Sequence, residues 1–502
     1  MTYKNSIMQH RIKTKKIHNT ALLFIIIAPI TILYYASYVF DPVHMGNPYL
    51  YFLQIFADAI AITIVGTLWV TILLDMIQPE YHKRELKYDK KWLEKSKVKV
   101  DILIPVAREP IDIIELTVRN ALAIDYPHTT YILDDGDSDD VKRLAHELKV
   151  IYVARPPHAK SFAKSGNLNY GLKQCKGEYF AVFDADHAPK KEFLTELLPF
   201  FENTNVALVQ SPQHYTNTDN FIASGTAQAQ EIFYKYVQPA KNSYNAAFCV
   251  GTNMVYRRSS IDDIGGIAMR DHSEDIWTTI LIHEKGYESV FYNKVLAEGR
   301  APESIPSFFR QQNRWARGGF TLFFTHNPLF IRSLSIDQRL QYFFSNIHYF
   351  SAFAVLIYLL LPLMYLLFNL HPMDVKHNNG WLAHYLPYFI TVYFLPWFLL
   401  GTLKLSTIST SIASFAPYLQ AFISVFLKNK YQWVATESKK VSFNVIMLQI
   451  WPHVFFIVLS LLAIAVGWYN PEDVMTTMVT SFWVLMNSYF LFSFVKNGLI
   501  QT

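Results

Sequence analysis

Cysteine and charge are both scarce in this chain. Only two cysteines, Cys175 and Cys249, occur in 502 residues, which excludes a disulfide-built scaffold. Charged residues make up 17%, below the roughly 25% of a soluble domain, so an ordinary water-soluble enzyme is excluded. With 18 glycines and 23 prolines, the chain is neither collagen-like nor a Pro/Gly-rich low-complexity polymer. Hydrophobic residues reach 51% and aromatics 16%, too apolar for intrinsic disorder.

The apolar residues are clustered, and the clusters set the architecture. Six runs, at 20–40, 51–76, 345–370, 381–403, 443–469 and 473–496, have about the length that crosses a bilayer. Between the second and third lies a region with charges throughout. The pattern predicts two transmembrane helices within 1–96, a soluble domain over 97–330, and four transmembrane helices within 331–502. The first run has no small-residue cleavage site and a second follows closely, so it reads as an anchor, not a cleaved signal.

Charge asymmetry orients the chain. Lys4, Arg11, Lys13, Lys15 and Lys16 precede the first run, and Lys83, Arg84, Lys87, Lys90 and Lys91 follow the second, whereas the opposite loops hold only Lys376. By the positive-inside rule both termini and the soluble domain are expected in the cytoplasm. The net charge of +5 is then a topology signal and an attraction to anionic lipid, with no nucleic-acid partner implied. The stretch 405–427 is apolar but broken by Ser, Thr and Pro417. It is expected to lie in the interface, because crossing would carry Lys428, Lys430, Lys439 and Lys440 to the wrong side.

Within the soluble domain, strand-like and helix-like segments alternate. Val98–Val106, Tyr131–Leu133, Ile151–Val153, Tyr179–Phe183 and Val206–Val209 read as strands, with helices over Ile111–Ala123 and 139–148. Such alternation predicts an α/β domain with a mostly parallel sheet covered on both faces, binding ligands at the carboxyl ends of its strands. Two acidic clusters fall at strand ends: Asp134-Asp135-Gly136 and Asp184-Ala185-Asp186. Alone, the first is also the composition of a turn. Alternate residues on extended backbone put both carboxylates of the second on one side, suiting Mg²⁺ or Mn²⁺. Glu274-Asp275 and Gln311-Gln312-Asn313-Arg314-Trp315 follow. Taken singly, these fit a capped helix start and an amphipathic helix at the membrane.

The order D-D-G, K-x-G-N-x-N (from Lys164), D-x-D, E-D and Q-x-x-R-W, between transmembrane runs, resembles the membrane-embedded processive glycosyltransferases of family 2. Bacterial cellulose synthase catalytic subunits are the nearest likeness, with hyaluronan and chitin synthases more distant. The resemblance implies a GT-A-type α/β fold and a UDP-sugar donor. Asp135 and Glu109 would contact the nucleoside, Asp134 would support that pocket, and Lys164 would approach the diphosphate. Asp186, with Asp184, would hold the divalent cation. Asp275 would be the general base beside Glu274, and Arg314 and Gln311 would face the diphosphate. Trp315 would stack on the growing chain, next to the acceptor-side segment of Cys249 and Gly251. A nucleophilic role for Cys249 is not needed by an inverting transfer, and buried Cys commonly packs as a small apolar residue.

Trp433-Val434-Ala435-Thr436-Glu437-Ser438-Lys439 resembles the loop that cellulose synthases close over the nucleotide. There Trp433 and Thr436 would touch the donor, and Lys439 lies one place beyond the family's lysine. The implied activity is processive polymerisation of UDP-glucose into a β-glucan, cellulose-like or capsular, with export across the bacterial plasma membrane. A UDP-N-acetylhexosamine polymerase is the alternative enzyme; a non-catalytic scaffold or flippase is the alternative of another class. Polar residues in the spans, such as Gln449 and His453, fit a polysaccharide conduit or helix–helix hydrogen bonding equally. No regulatory domain is expected after the last span.

Overall fold

The computed structural model describes residues 19–77, 90–270, 273–374, 380–427, 442–469 and 471–500. The soluble region is built on β1 (Val100–Val106), β2 (Thr129–Asp134), β3 (Ile151–Ala154), β4 (Tyr179–Val182), β5 (His187–Pro189), β6 (Val206–Gln210), β7 (Met254–Arg257), β8 (Glu288–Phe291) and β9 (Ala297–Gly299). Seven of these form one sheet in the order β3-β2-β1-β4-β7-β6-β8, and β5 pairs with β9. From β3 to β4 the pairing is parallel. β7 then runs antiparallel to both β4 and β6.

Strand sequence accounts for the burial on both faces. Ile102, Ile104 and Val106 point into one apolar cluster with Ile132 and Ala181, while Leu103 points into another with Leu133 and Val182. This is the period-2 partition of a strand covered on both sides. The helices Ile111–Leu122 and Asp139–Glu147 cover the first face through Ile114, Val118, Val141 and Leu144. The helix Ala163–Leu172 covers the second through Leu168 and Leu172.

Register brings the carboxyl ends together. Val106 pairs with Asp134, and Asp134 with Ala154. The segments that leave these strands, with Glu109, Asp135, Arg155 and, after β4, Asp184, therefore open on one side of the sheet.

Among the described residues, six apolar helical segments are long enough to cross a membrane: Thr20–Val39, Pro48–Leu73, Ile336–Phe368, Leu405–Phe426, Phe443–Tyr469 and Val474–Ile500. Two precede the sheet and four follow it, so the chain is a multi-pass membrane protein. One of the four differs from expectation. The run 381–403 is split into the helices Gly380–Tyr393 and Leu395–Leu400. Pro396 opens the second, where its missing N–H and fixed φ suit a first turn better than a helix interior. Leu405–Phe426, expected in the interface, qualifies by length and apolarity instead.

Two hydrogen bonds tie Leu405–Phe426 to helices of the sheet domain. Thr407 Oγ1 donates to Gln228 Oε1 at 2.6 Å, and Asn313 Nδ2 donates to Pro417 O at 3.1 Å.

Candidate active site

One cleft of ≈ 510 Å³ opens at the carboxyl ends of the strands, and its walls include Glu109, Asp135, Lys164, Asp184, Asp186, Gly251, Glu274, Asp275, Gln311, Arg314 and Trp315. Residues spread over two hundred positions of sequence thus meet where an open α/β sheet binds its ligands.

The first wall follows β1 to β3. Asp134, 1% exposed, is absent from the cleft lining. Its carboxylate accepts from Gly136 N at 2.7 Å, Ser138 N at 2.8 Å and Tyr152 Oη at 2.9 Å, so it builds the turn that presents Asp135. Asp135 is held in turn by buried Arg155, Nε to Oδ1 at 2.5 Å and Nη2 to Oδ2 at 2.6 Å. Arg155 escaped the sequence reading, although its place just past β3 obeys the same strand-end rule as Asp135. Burial, with Asp186 and Asp184 nearby, pushes the Glu109 carboxyl up to about 7.

The second wall follows β4. Asp184, Asp186 and His187 bring three ligand atoms within 4.8 Å of one another. His187 Nδ1 lies 2.8 Å from Asp186 Oδ1. Burial opposes both charges of this pair, but each partner outweighs it for the other: the Asp186 carboxyl is lowered and the His187 imidazole raised. Lys164 Nζ donates to Asp184 Oδ1, and to Gly251 O at 2.7 Å. Burial opposes the lysine's charge as well; Asp184 and Glu274 overcome it and raise its pKa. His187 was also missed, though it directly follows the D-x-D.

The third wall is helical. Asp275 stands in the first turn of the helix Glu274–Glu284, its Oδ1 accepting from Ile276 N at 2.8 Å. Burial, then the neighbouring Glu274, pushes its carboxyl up to about 7. Gly251, at φ +88°, is the floor between Asp275 and Lys164: a β-carbon there would stand 3.5 Å from Asp275 Oδ2 and 3.6 Å from Lys164 Nζ. The left-handed backbone favours glycine at that place.

Gln311, Arg314 and Trp315 lie on the helix Ile305–Thr325, started by a capping box of Ser304 and Ser307 with Pro306 in its first turn. Positions i, i+3 and i+4 share a face, which turns these three toward the cleft. Gln312 and Asn313 turn away, toward Tyr418 and Pro417.

Cys249 corrects the acceptor assignment. It is fully buried in the second apolar cluster and absent from the cleft lining. Its Sγ accepts from Gly251 N at 3.3 Å, and burial pushes the thiol up to about 12. It supports the glycine floor from beneath. Trp433, Thr436 and Lys439 lie outside the described residues.

Comparison with known proteins agrees with this geometry. Residues 101–265 match the family model for Glycosyl transferase family 2, and residues 262–412 match that for Cellulose synthase. A cellulose synthase 1 catalytic subunit (UDP-forming) of Komagataeibacter xylinus is 36% identical over 279 residues, 54% of this chain and 37% of that protein. A cellulose synthase catalytic subunit (UDP-forming) of Xanthomonas axonopodis pv. citri is 35% identical over 260 residues, 50% of this chain and 35% of that protein. The chain thus spans little more than a third of either relative's length.

A mannosyltransferase from Pyrobaculum calidifontis, solved with GDP-Man and Mn²⁺, shares the fold at a TM-score of 0.52 and 15% identity. That match covers 74% of this chain and all of that one. The α/β core is of the GT-A type. Residues 101–265 thus resemble family 2 glycosyl transferases and residues 262–412 resemble cellulose synthases, and across both the chain is similar to bacterial cellulose synthase catalytic subunits.

Proposed function

We propose that this chain is an inverting, processive glycosyltransferase that polymerises glucose from UDP-glucose into a β-glucan and passes the product through its own membrane helices. The carrying observation is the meeting, in one cleft, of the Asp184/Asp186 pair, a half-buried Asp275 and the Arg314–Trp315 face of a helix packed on a membrane-length segment.

Asp275, with its pKa lifted toward neutrality, takes the proton of the acceptor hydroxyl as that oxygen attacks the anomeric carbon. Trp315 gives the terminal sugar an aromatic face. Arg314 and Lys164 offset the charge that grows on the departing diphosphate. Glu109 and Asp135 hold the nucleoside, and Gln311 supports the donor.

The donor set suits a divalent cation. Asp184 and Asp186 are hard oxygen ligands at one strand end, and the second ring nitrogen of buried His187, Nε2, has no hydrogen-bond partner among the described residues. Asp186 and Asp184 would hold Mg²⁺ or Mn²⁺, which supplies Lewis-acid stabilisation of the diphosphate. Mn²⁺ accompanies the nucleotide sugar in the mannosyltransferase of the same fold.

Residues 97–330 form the transferase unit, facing the cytoplasm together with both termini. Purified protein in lipid vesicles, supplied separately with UDP-glucose and UDP-N-acetylglucosamine, tests the reading. UDP release with a glucan product supports it. Release from the acetylated donor alone makes it an aminosugar polymerase, and release from neither points to a non-catalytic scaffold.

A further inference from the structure

Phe162 is a large apolar side chain left 53% exposed in the wall of a polar cleft. Its backbone is left-handed, at φ +56° and ψ +31°, and Ala163 follows at φ +39°. Non-glycine residues rarely adopt this region, and two in succession are held only where the surroundings over-determine them.

The surroundings here are specific. Besides its two bonds to Asp135, Arg155 donates from Nη1 to Ala159 O at 3.0 Å and Ser161 O at 2.7 Å, and from Nη2 to Ala163 O at 2.8 Å. All five N–H groups of a buried guanidinium are thereby used, three of them on carbonyls of the segment that carries Phe162, two of these from its immediate neighbours. Lys160 Nζ adds a bond to Asp135 O at 2.8 Å. Gly166 permits the close approach: a β-carbon there would lie 2.0 Å from Ser161 O. Burying the ring would be the ordinary outcome for phenylalanine. Instead the chain fixes it open, rigidly, on the same clamp as Asp135.

We infer that Phe162 is a stacking platform for the base of the nucleotide donor, held at a set position beside Asp135 by the Arg155 clamp. A flat, rigid ring in a polar cleft suits the π-face of a pyrimidine, while the phosphates fall toward Lys164, two residues on. The inference rests on the proposed reading of this cleft as a nucleotide-sugar site.

Calorimetric titration of wild type, Phe162→Ala, Phe162→Asn and Phe162→Tyr with UDP and with inorganic pyrophosphate, each with Mn²⁺, tests it. Asparagine tolerates the left-handed backbone, so it removes the ring without disturbing the loop. The Ala and Asn variants should bind UDP about 10- to 100-fold more weakly, the usual effect of losing one base–aromatic stack. Tyr should bind as wild type, and pyrophosphate should bind all four alike. In turnover, KM for the donor should rise while kcat holds. Equal UDP affinity in wild type and both truncated variants overturns the platform alone, as does an equal loss of pyrophosphate. A wild-type protein that binds neither UDP nor pyrophosphate overturns the cleft reading beneath it.

Discussion

Tyr418 donates its hydroxyl to Gln312 Oε1 at 2.9 Å, with both side chains buried. The bond ties the helix of Arg314 and Trp315 to the helix Phe415–Phe426, so the face that lines the cleft is positioned from a membrane-length segment. Tyr418→Phe leaves the Gln312 oxygen buried without its donor, which costs about 1–3 kcal/mol. Thermal unfolding in detergent should show the loss. Gln312→Met added to Tyr418→Phe should cost less than the two single changes together, because the orphaned oxygen is gone. Strict additivity would mean the bond is idle.

Asp275→Asn keeps shape and removes the proton acceptor. Turnover should fall about 10²–10⁴-fold, with UDP affinity retained. The free enzyme's kcat/KM should rise with pH and level off above about 7, where Asp275 is charged. Glu109 titrates in the same range, so Glu109→Gln serves as control and should leave that limb in place. Stability has the opposite sign. A carboxyl whose folded pKa is raised binds its proton more tightly when folded, so its contribution falls as pH rises from about 4 to about 7. Asp275→Asn should therefore unfold at a higher temperature than wild type at pH 8. Equal melting there would remove the burial argument.

Chelation should stop UDP release, and Mg²⁺ or Mn²⁺ should restore it. Asp186→Ala should not be restored by either ion at concentrations that saturate wild type. Full turnover in excess EDTA would remove the cation from the account.

Much of this was legible from the chain, for identifiable reasons. β1 to β4 and β6 carry apolar runs that need no partner to be seen, and strand-end geometry pointed to Asp135, Asp184 and Asp186. β5, β7, β8 and β9 are three or four residues long and lack the longer apolar runs that mark the equally short β3 and β4, so only long-range pairing defines them. Arg155 was not singled out, because its role depends on the chain folding back over a carboxylate twenty residues earlier. Composition marked 381–403 as a span, whereas the helix breaks beside Pro396. The motif placed Cys249 at the acceptor, although packing turns its thiol into the core.

Cys249→Ala supplies a check on that correction. Polymer yield should stay near wild type, and the cost should appear in stability, as for other buried side-chain truncations. Loss of activity with unchanged melting would return the thiol to the site.

The proposed division between Arg314 and Trp315 is the centre of the account, and parallel measurement of UDP release and polymer length from UDP-glucose tests it most directly. Arg314→Ala removes charge needed wherever the diphosphate leaves, so both readings should vanish. Trp315→Ala leaves the donor pocket intact but removes the platform that holds the acceptor hydroxyl, a positioning effect that reaches about 7–11 kcal/mol in the best cases. Slow UDP release to water should persist in Trp315→Ala while polymer falls to short products. Long polymer from Trp315→Ala at wild-type yield would contradict the stacking role, and with it processive synthesis in this cleft.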